Sequence, residues 1–200
     1  RRLKAVYKPR DGERPLYDFP RGSLYMREYA AYVLSRILGW PNVPATLVRD
    51  GPYGVGSMQL YVESDPRTTY FDLLGAAEEE LLGFAVFDVL ANNADRKAGH
   101  CLQDSDGRLW SIDHGLTFHS VFKLRTVMLE YWGTGITRPL IDSLSALATG
   151  MSSMAGRVPE LLELLTEQEA GALSSRLEGL LKDPEVPRLD PWRNVPWPVV

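Results

Sequence analysis

Cysteine is almost missing from this chain: Cys101 is the single one among 200 residues. One thiol closes no intramolecular disulfide and builds no structural zinc site alone, so disulfide scaffolds and zinc fingers are excluded, and a reducing cytoplasm is the expected location. Histidine is also scarce, at three. His100, His114 and His119 lack the tight helical H-E-x-x-H spacing of a zinc hydrolase, which weighs against a metal triad. No stretch approaches the ~20 apolar residues of a membrane-spanning helix, and Arg1-Arg2-Leu3-Lys4 does not lead into the apolar core of a signal peptide. Positive charge is short as well: 22 Lys and Arg against 26 Asp and Glu leave a net charge of −4. A duplex nucleic-acid binder must replace the counterions on phosphates and carries a basic surplus, so nucleic acid is not an expected partner. What is present is ordinary for a globular protein, 44% hydrophobic and 24% charged residues, with no internal repeat. The length suits one sizeable core or two small lobes around a cleft.

Along the chain, Leu3–Lys8 alternates as a strand does, and Pro9 is expected to end it. Residues 10–22 read as a loop. Ser23 is placed to cap a helix over Leu24–Leu38, closed by Gly39. Two short strands, Thr46–Arg49 and Ser57–Glu63, flank a turn at 50–54 and form a hairpin beside the first. The character then changes. Glu78–Leu90 reads as a long amphipathic helix and Asn92–His100 as a polar loop. Cys101-Leu102 and Leu109–Ile112 read as strands joined at Asp106-Gly107. Helices are predicted at 138–148, 158–165 and 168–181, the last opened by the capping box Thr166-x-x-Glu169. The proline- and tryptophan-rich end reads as an extended tail that packs its tryptophans on the body. The expected organisation is an N-lobe over 1–66 with a hinge near 59–66, a helical C-lobe over 67–183 carrying the catalytic and metal loops, and a tail over 184–200. The fold class is α+β and two-lobed, with a small β-rich front and a mainly helical rear. A cleft at the lobe junction is the natural ligand site.

Phosphoryl transfer asks a protein for a cation on the nucleotide phosphates, ligands for one or two metal ions and a residue that orients the acceptor. Lys8, at the end of the first strand, can supply the cation. Glu28 lies among apolar helix neighbours, where a carboxylate is costly unless paired, and Lys8 is the expected partner. Asn93-Ala94-Asp95-Arg96 precedes Ile112-Asp113-His114-Gly115 by a short hairpin, the order in which kinases set a catalytic aspartate before a metal-binding one. Asp95 is the candidate that accepts from the attacking hydroxyl, with Lys8 and Arg96 beside it in the catalytic set. Asp113 is the candidate metal ligand, and His100 stands five residues after Asp95 as a second. Taken singly, each of these residues also reads as a turn, cap or solvated group; their order along a two-lobed chain carries the case. Asp88 reads as a brace for the loop, Cys101 as a small buried hydrophobe, and 54–57 as a turn rather than a phosphate loop.

The segments Ala5-Val6-Tyr7-Lys8-Pro9, 27–34, Val43-Pro44-Ala45-Thr46, 55–63, Asn93-Ala94-Asp95-Arg96 and Ile112-Asp113-His114-Gly115-Leu116 resemble, in order, the motifs of type II phosphatidylinositol 4-kinases and a group of actinobacterial proteins of the phosphatidylinositol 3-/4-kinase-like superfamily. The resemblance runs from about Ala5 to Phe118. It implies an atypical protein-kinase-like fold and ATP with Mg²⁺ or Mn²⁺. It further implies Lys8 on the nucleotide phosphates, Glu28 paired with it, and Gln59, Leu60, Tyr61, Val62 and Glu63 as a hinge reading adenine through backbone groups. Asp95 is then catalytic and Asp113 binds the metal. Two departures follow. His100 replaces the family's metal-binding asparagine, which shifts preference away from Mg²⁺, an ion that favours oxygen ligands. Only seven residues precede Lys8, so the expected N-lobe is short of the hairpin that covers the phosphates. The acceptor is an unspecified hydroxyl, a protein or small molecule being favoured over a lipid, with Lys123 and Arg125 suited to an anionic one. A nucleotide-binding pseudokinase or AMP transfer on the same fold are the alternatives. Nothing in the pattern specifies an oligomeric state.

Overall fold

The computed structural model describes residues 3–200; Arg1 and Arg2 of the opening segment lie outside the described residues. Three strands form an antiparallel sheet in the order β1-β3-β2: β1 (Ala5–Pro9), β2 (Thr46–Gly51) and β3 (Gly54–Leu60). Pro9 belongs to β1 instead of ending it, opposite Gly56. This is tolerated because β1 is an edge strand, where a missing amide need not break a ladder. Gly56 is required here: a Cβ would sit 2.4 Å from the Lys8 carbonyl oxygen and 2.7 Å from Pro9 Cα. Close approach of β3 thus sets the backbone height of Lys8. The β2–β3 hairpin turns on Pro52-Tyr53 and ends at Leu60, three residues earlier than the alternation predicts.

The helix α1 occupies Leu24–Leu38 and Gly39 closes it at φ 82°, as its sequence predicts. Its N-terminus differs from expectation. The Ser23 hydroxyl donates to the Pro20 carbonyl at 2.7 Å and caps nothing, while the Glu13 carboxylate accepts from the Tyr25 amide at 2.9 Å. A loop carboxylate eleven positions before the helix thus supplies the acceptor an N-cap would give, and its charge suits the positive helix end. The helix contacts β2 and β3 and also α4 (Arg138–Ser153) and α5 (Val158–Glu163). The Arg27 guanidinium donates to Glu169 and to the Thr117 carbonyl, both within the buried interior. Tyr29 donates its hydroxyl to Glu160 of α5. Glu28 is therefore carried on a helix anchored to both halves of the molecule.

The helix α3 (Glu78–Ala91) is central rather than amphipathic: every residue from Leu81 to Ala91 is buried. A helix covered all round needs no polar stripe, and only its acidic first turn reaches solvent. A short α2 (Tyr70–Leu73) precedes it, opened by the capping box of Thr69 and Asp72, a signal the sequence reading passes over. The hairpin β4 (Cys101–Gln103) with β5 (Leu109–Ser111) follows the loop after α3, and α6 (Glu167–Lys182) carries the predicted Thr166–Glu169 capping box. No helix among the described residues is long and apolar enough to cross a membrane. The tail corrects one expectation. Trp192 and Trp197 are 95% and 90% exposed instead of packed. Val186, Asn194 and Val199 hold the tail: Val186 is buried, Asn194 bonds Leu124 and Thr126, and the Val199 carbonyl accepts from the Ala98 amide at 2.9 Å.

Candidate active site

Lys8 projects from near the end of β1 toward the helical half. Its ammonium contacts Glu28 Oε1 and lies 2.9 Å from Asp113 Oδ1. The other Glu28 oxygen accepts from the His114 amide at 3.1 Å. One buried carboxylate thereby fixes both the lysine and the backbone after Asp113. Burial opposes the charge on Lys8, but Glu28 and Asp113 outweigh it and hold the ammonium above its ordinary range. Burial pushes the Glu28 carboxyl up, with Lys8 working against it. Burial also acts to raise Asp113, yet the Lys8 ammonium holds its carboxyl well below the usual range, so it stays ionised.

Asp113 has φ 60°, in the left-handed region that an aspartate tolerates better than most residues. The Gly115 that follows lies 3.4 Å, measured from an added Cβ, from Glu28 Oε1; a side chain there would crowd the lysine–glutamate pair. His100 Nε2 stands 3.3 Å from Asp113 Oδ2. Burial lowers His100 to about 4, helped by Arg96, so the ring is neutral. Its Nδ1 accepts from the Lys97 amide at 3.4 Å. That leaves the proton on Nε2, and the ring donates to Asp113 as it is placed here. To ligate a metal through Nε2 it would have to move the proton and lose the Lys97 contact.

Asp95 sits in the loop after α3. Its amide donates to Asn93 Oδ1 at 3.1 Å, and its carboxylate faces Lys97 at 3.5 Å. Burial raises its pKa, with Lys97 working against it. Asp95, Asp113, Lys8 and Glu28 line one open cavity of about 560 Å³, which also takes in Arg14 and Leu116. The chain order that suggested a joint site is therefore met by a shared cleft.

Arg96 is the exception among the candidate catalytic residues. It is fully buried, and its guanidinium is held by Asp88 at 2.7 and 2.9 Å, Ser111 Oγ at 2.7 Å, and the carbonyls of His100 and Ile112 at 3.2 Å. It also lies 3.0 Å from His114 Nε2. An arginine only donates, so His114 Nε2 is the acceptor and the ring proton rests on Nδ1. Arg96 spends its donors inside the protein and is no cleft cation. It ties the loop of Asp95 to the strand end that presents Asp113. Asp88 is the brace its position implied, gripping Asn93 as well at 2.9 Å.

The hinge segment is also narrowed. The Leu60 amide donates to Ala45 and that of Tyr61 to Lys4, while the Gln59 side chain is buried against Thr46. Val62 and Glu63 follow these backbone-paired positions, and Glu63 pairs with Lys4 at the surface. His114 and His119 do not join His100: one is buried beside Arg96, and the other donates to the Asp18 carbonyl. No group of three His, Cys, Asp or Glu poised for a metal occurs among the described residues. Sequence reasoning missed Asn93 and Asn92. Asn92 takes a left-handed conformation after α3 and uses its side chain on His119, Val121 and Lys123. Two asparagines closing a helix were the available sign, since asparagine tolerates that conformation and offers both donor and acceptor.

Part of the chain is similar to plant lipid kinases: 30% identity to phosphatidylinositol 4-kinase gamma 4 of rice (Oryza sativa subsp. japonica) over 64% of this chain, and 29% to the Arabidopsis thaliana protein of that name over 54%. The chain spans 29% and 24% of those two kinases' lengths. It belongs to the family of Protein Rv2133c of Mycobacterium tuberculosis (strain ATCC 25618 / H37Rv), with 39% identity over 99% of this chain and 83% of that protein. The solved Helicobacter pylori proinflammatory kinase CtkA aligns over 84% of this chain and 86% of its own, at TM-score 0.49 and 14% identity. No family model matches the chain.

Proposed function

We propose that this protein is an ATP-dependent phosphotransferase acting on a hydroxyl acceptor. The observation that carries the reading is the convergence of Lys8, Glu28, Asp95 and Asp113 on one cleft, with Lys8 bridging a buried carboxylate and an ionised, half-exposed one. Adenine would lie at the hinge end, near Val62 and Glu63, with the phosphates reaching Lys8. The residues fit a divalent cation of the Mg²⁺ kind. Such an ion is commonly held by one or two carboxylates together with substrate phosphates and water, and Asp113 is the ionised carboxylate available. When bound, the ion would neutralise charge on the phosphate oxygens.

In the proposed reaction the acceptor oxygen forms a bond to the γ-phosphorus. The bond from that phosphorus to the β–γ bridging oxygen breaks, and ADP leaves with the electron pair. Asp95 takes the acceptor's proton, and its raised pKa makes it a better base than an ordinary carboxylate. Lys8 holds phosphate charge, Glu28 holds Lys8, and His100 orients Asp113.

His100 favours a second reading, a nucleotide-binding regulatory module, because its ring donates to Asp113 where an asparagine oxygen could bind a second metal. The discriminating experiment incubates the protein with γ- or α-labelled ATP and Mg²⁺ or Mn²⁺, beside Asp95→Ala and Asp113→Ala. Label from the γ-position that is lost in both variants supports phosphotransfer. Nucleotide binding without turnover leaves the regulatory module, label from the α-position points to AMP transfer, and no nucleotide binding removes the reading.

A further inference from the structure

A second cavity of about 540 Å³ adjoins the first, and Glu13, Arg14, Leu16 and Leu24 line both. Its remaining wall comes from the loop between β1 and α1, including Arg10, Asp11 and Arg21. The charges do not cancel. Arg10 pairs with Asp11 at 3.2 Å, and Glu13 accepts from the Tyr25 amide but keeps its charge, so Arg10, Arg14 and Arg21 exceed Asp11 and Glu13 by one. Among the described residues Arg14 and Arg21 form no ion pair. Two unpaired guanidinium groups in a concave site call for an anion, and their planar forks match phosphate oxygens.

The loop that carries them is built, not loose. Gly22 takes φ 71°, and the Arg10 stem lies 3.1 Å from where its Cβ would stand. Asp18 pairs with Lys123 at 2.9 Å and its carbonyl accepts from His119 at 2.8 Å, docking the loop on the segment after Asp113.

Position along β1 decides which anion. Ala5 pairs with Leu60 at the hinge end, and Pro9 leads into the arginine loop at the other. Lys8 lies three residue steps along the strand from Ala5, roughly 10 Å at the usual rise. With adenine at the hinge and phosphates at Lys8, the arginine cavity lies at the end of β1 away from the adenine and joins the cleft of Asp95 through Arg14. We propose that it is the acceptor's anion subsite, where Arg14 and Arg21 hold the phosphate of a small phosphorylated polyol whose free hydroxyl extends toward Asp95. The volume is within the range of small-molecule sites. This inference rests on the phosphotransferase reading above.

The test uses the full chain with a non-hydrolysable ATP analogue and Mg²⁺, and follows binding of glycerol 3-phosphate by calorimetry. Unphosphorylated glycerol is the control, phosphatidylglycerol vesicles form the lipid arm, and Arg14→Gln and Arg21→Gln are the variants. The expected result is saturable glycerol 3-phosphate binding that each variant weakens about tenfold or more, as loss of a charge-assisted pair should. For Arg21→Gln, which lies outside the nucleotide cleft, analogue affinity should stay within about twofold, and glycerol should not compete. The proposal is overturned if the probe does not bind, binds the variants equally, or loses affinity together with the analogue, which would make the arginines nucleotide ligands. It is also overturned by arginine-dependent capture on vesicles without binding of the free probe. Failure of the wild type to bind the analogue sinks the phosphotransferase reading, while the probe arm still decides the anion site.

Discussion

Two charged clusters sit on either side of the loop that holds Asp95, and they differ in what they leave undone. Around Arg96 the guanidinium, Asp88, Ser111 and the imidazole edge of His114 that faces it are sealed from water and bonded to one another. Around Lys8 the buried partner Glu28 is satisfied, but the Lys8 ammonium and the Asp113 carboxylate are 36% and 49% exposed and open on the cleft. The first cluster is closed off from the cleft; the second is open to it. Charged groups of the same kind thus serve as frame in one place and stand open to the cleft in the other, and exposure separates the two.

The contrast breaks most easily at its buried side. Asp88→Ala leaves the Arg96 guanidinium buried and unpaired, and urea denaturation should show a loss of about 3–5 kcal/mol; a loss under about 1 kcal/mol would mean that Arg96 reaches water. Next comes the acid side of the stability curve. His100 is lowered to about 4 and His114 lies well below its ordinary 6.5, so both are neutral in the folded protein while the unfolded chain takes up protons below 6.5. Acid therefore favours the unfolded state. For His100, stability present above pH 6.5 should fall by about 2–3 kcal/mol as pH drops toward 4, and His100→Gln should flatten that part of the slope.

Smaller effects are expected on the open side. Lys8→Met should cost about 1–2 kcal/mol, because Glu28 keeps the His114 amide and can take up a proton. Its larger signature should be in titration with a fluorescent ATP analogue, as an affinity loss of about tenfold or more. The smallest change in stability belongs to Asp95→Asn, within about 0.5 kcal/mol by thermal melt. If Asp95 is the base, phosphate transfer should still fall by about 10²-fold or more; an unchanged rate would remove Asp95 from the chemistry.

Much of the frame could be read from the residues. The period of 24–38 and the following glycine located α1 to the residue, and Thr166-x-x-Glu169 marked the start of α6. Such signals are local, set by neighbours within a turn or two. Three kinds of information were not local. The Ser23 hydroxyl was passed over in favour of Glu13, a choice made by how the preceding loop folds back. The tryptophans of the tail look like packing groups by composition, yet Asn194 and backbone bonds hold the tail while both rings face solvent. In the loop after α3, Asp95 and Arg96 are adjacent and equally polar. Extended backbone sends neighbouring side chains to opposite sides, and only the packed surroundings choose which side is the cleft.

From the sequence alone came the order of the longer elements and the set Lys8, Glu28, Asp95 and Asp113, because secondary structure follows short-range pattern and the proposed phosphate-handling site would draw on few residue types. The tertiary structure alone decided that Arg96 belongs to the frame, that His100 presents a donor to Asp113, and that Arg14 and Arg21 share a cavity joined to the cleft. Each of those outcomes depends on burial and on partners far away in the chain, and no local pattern carries either.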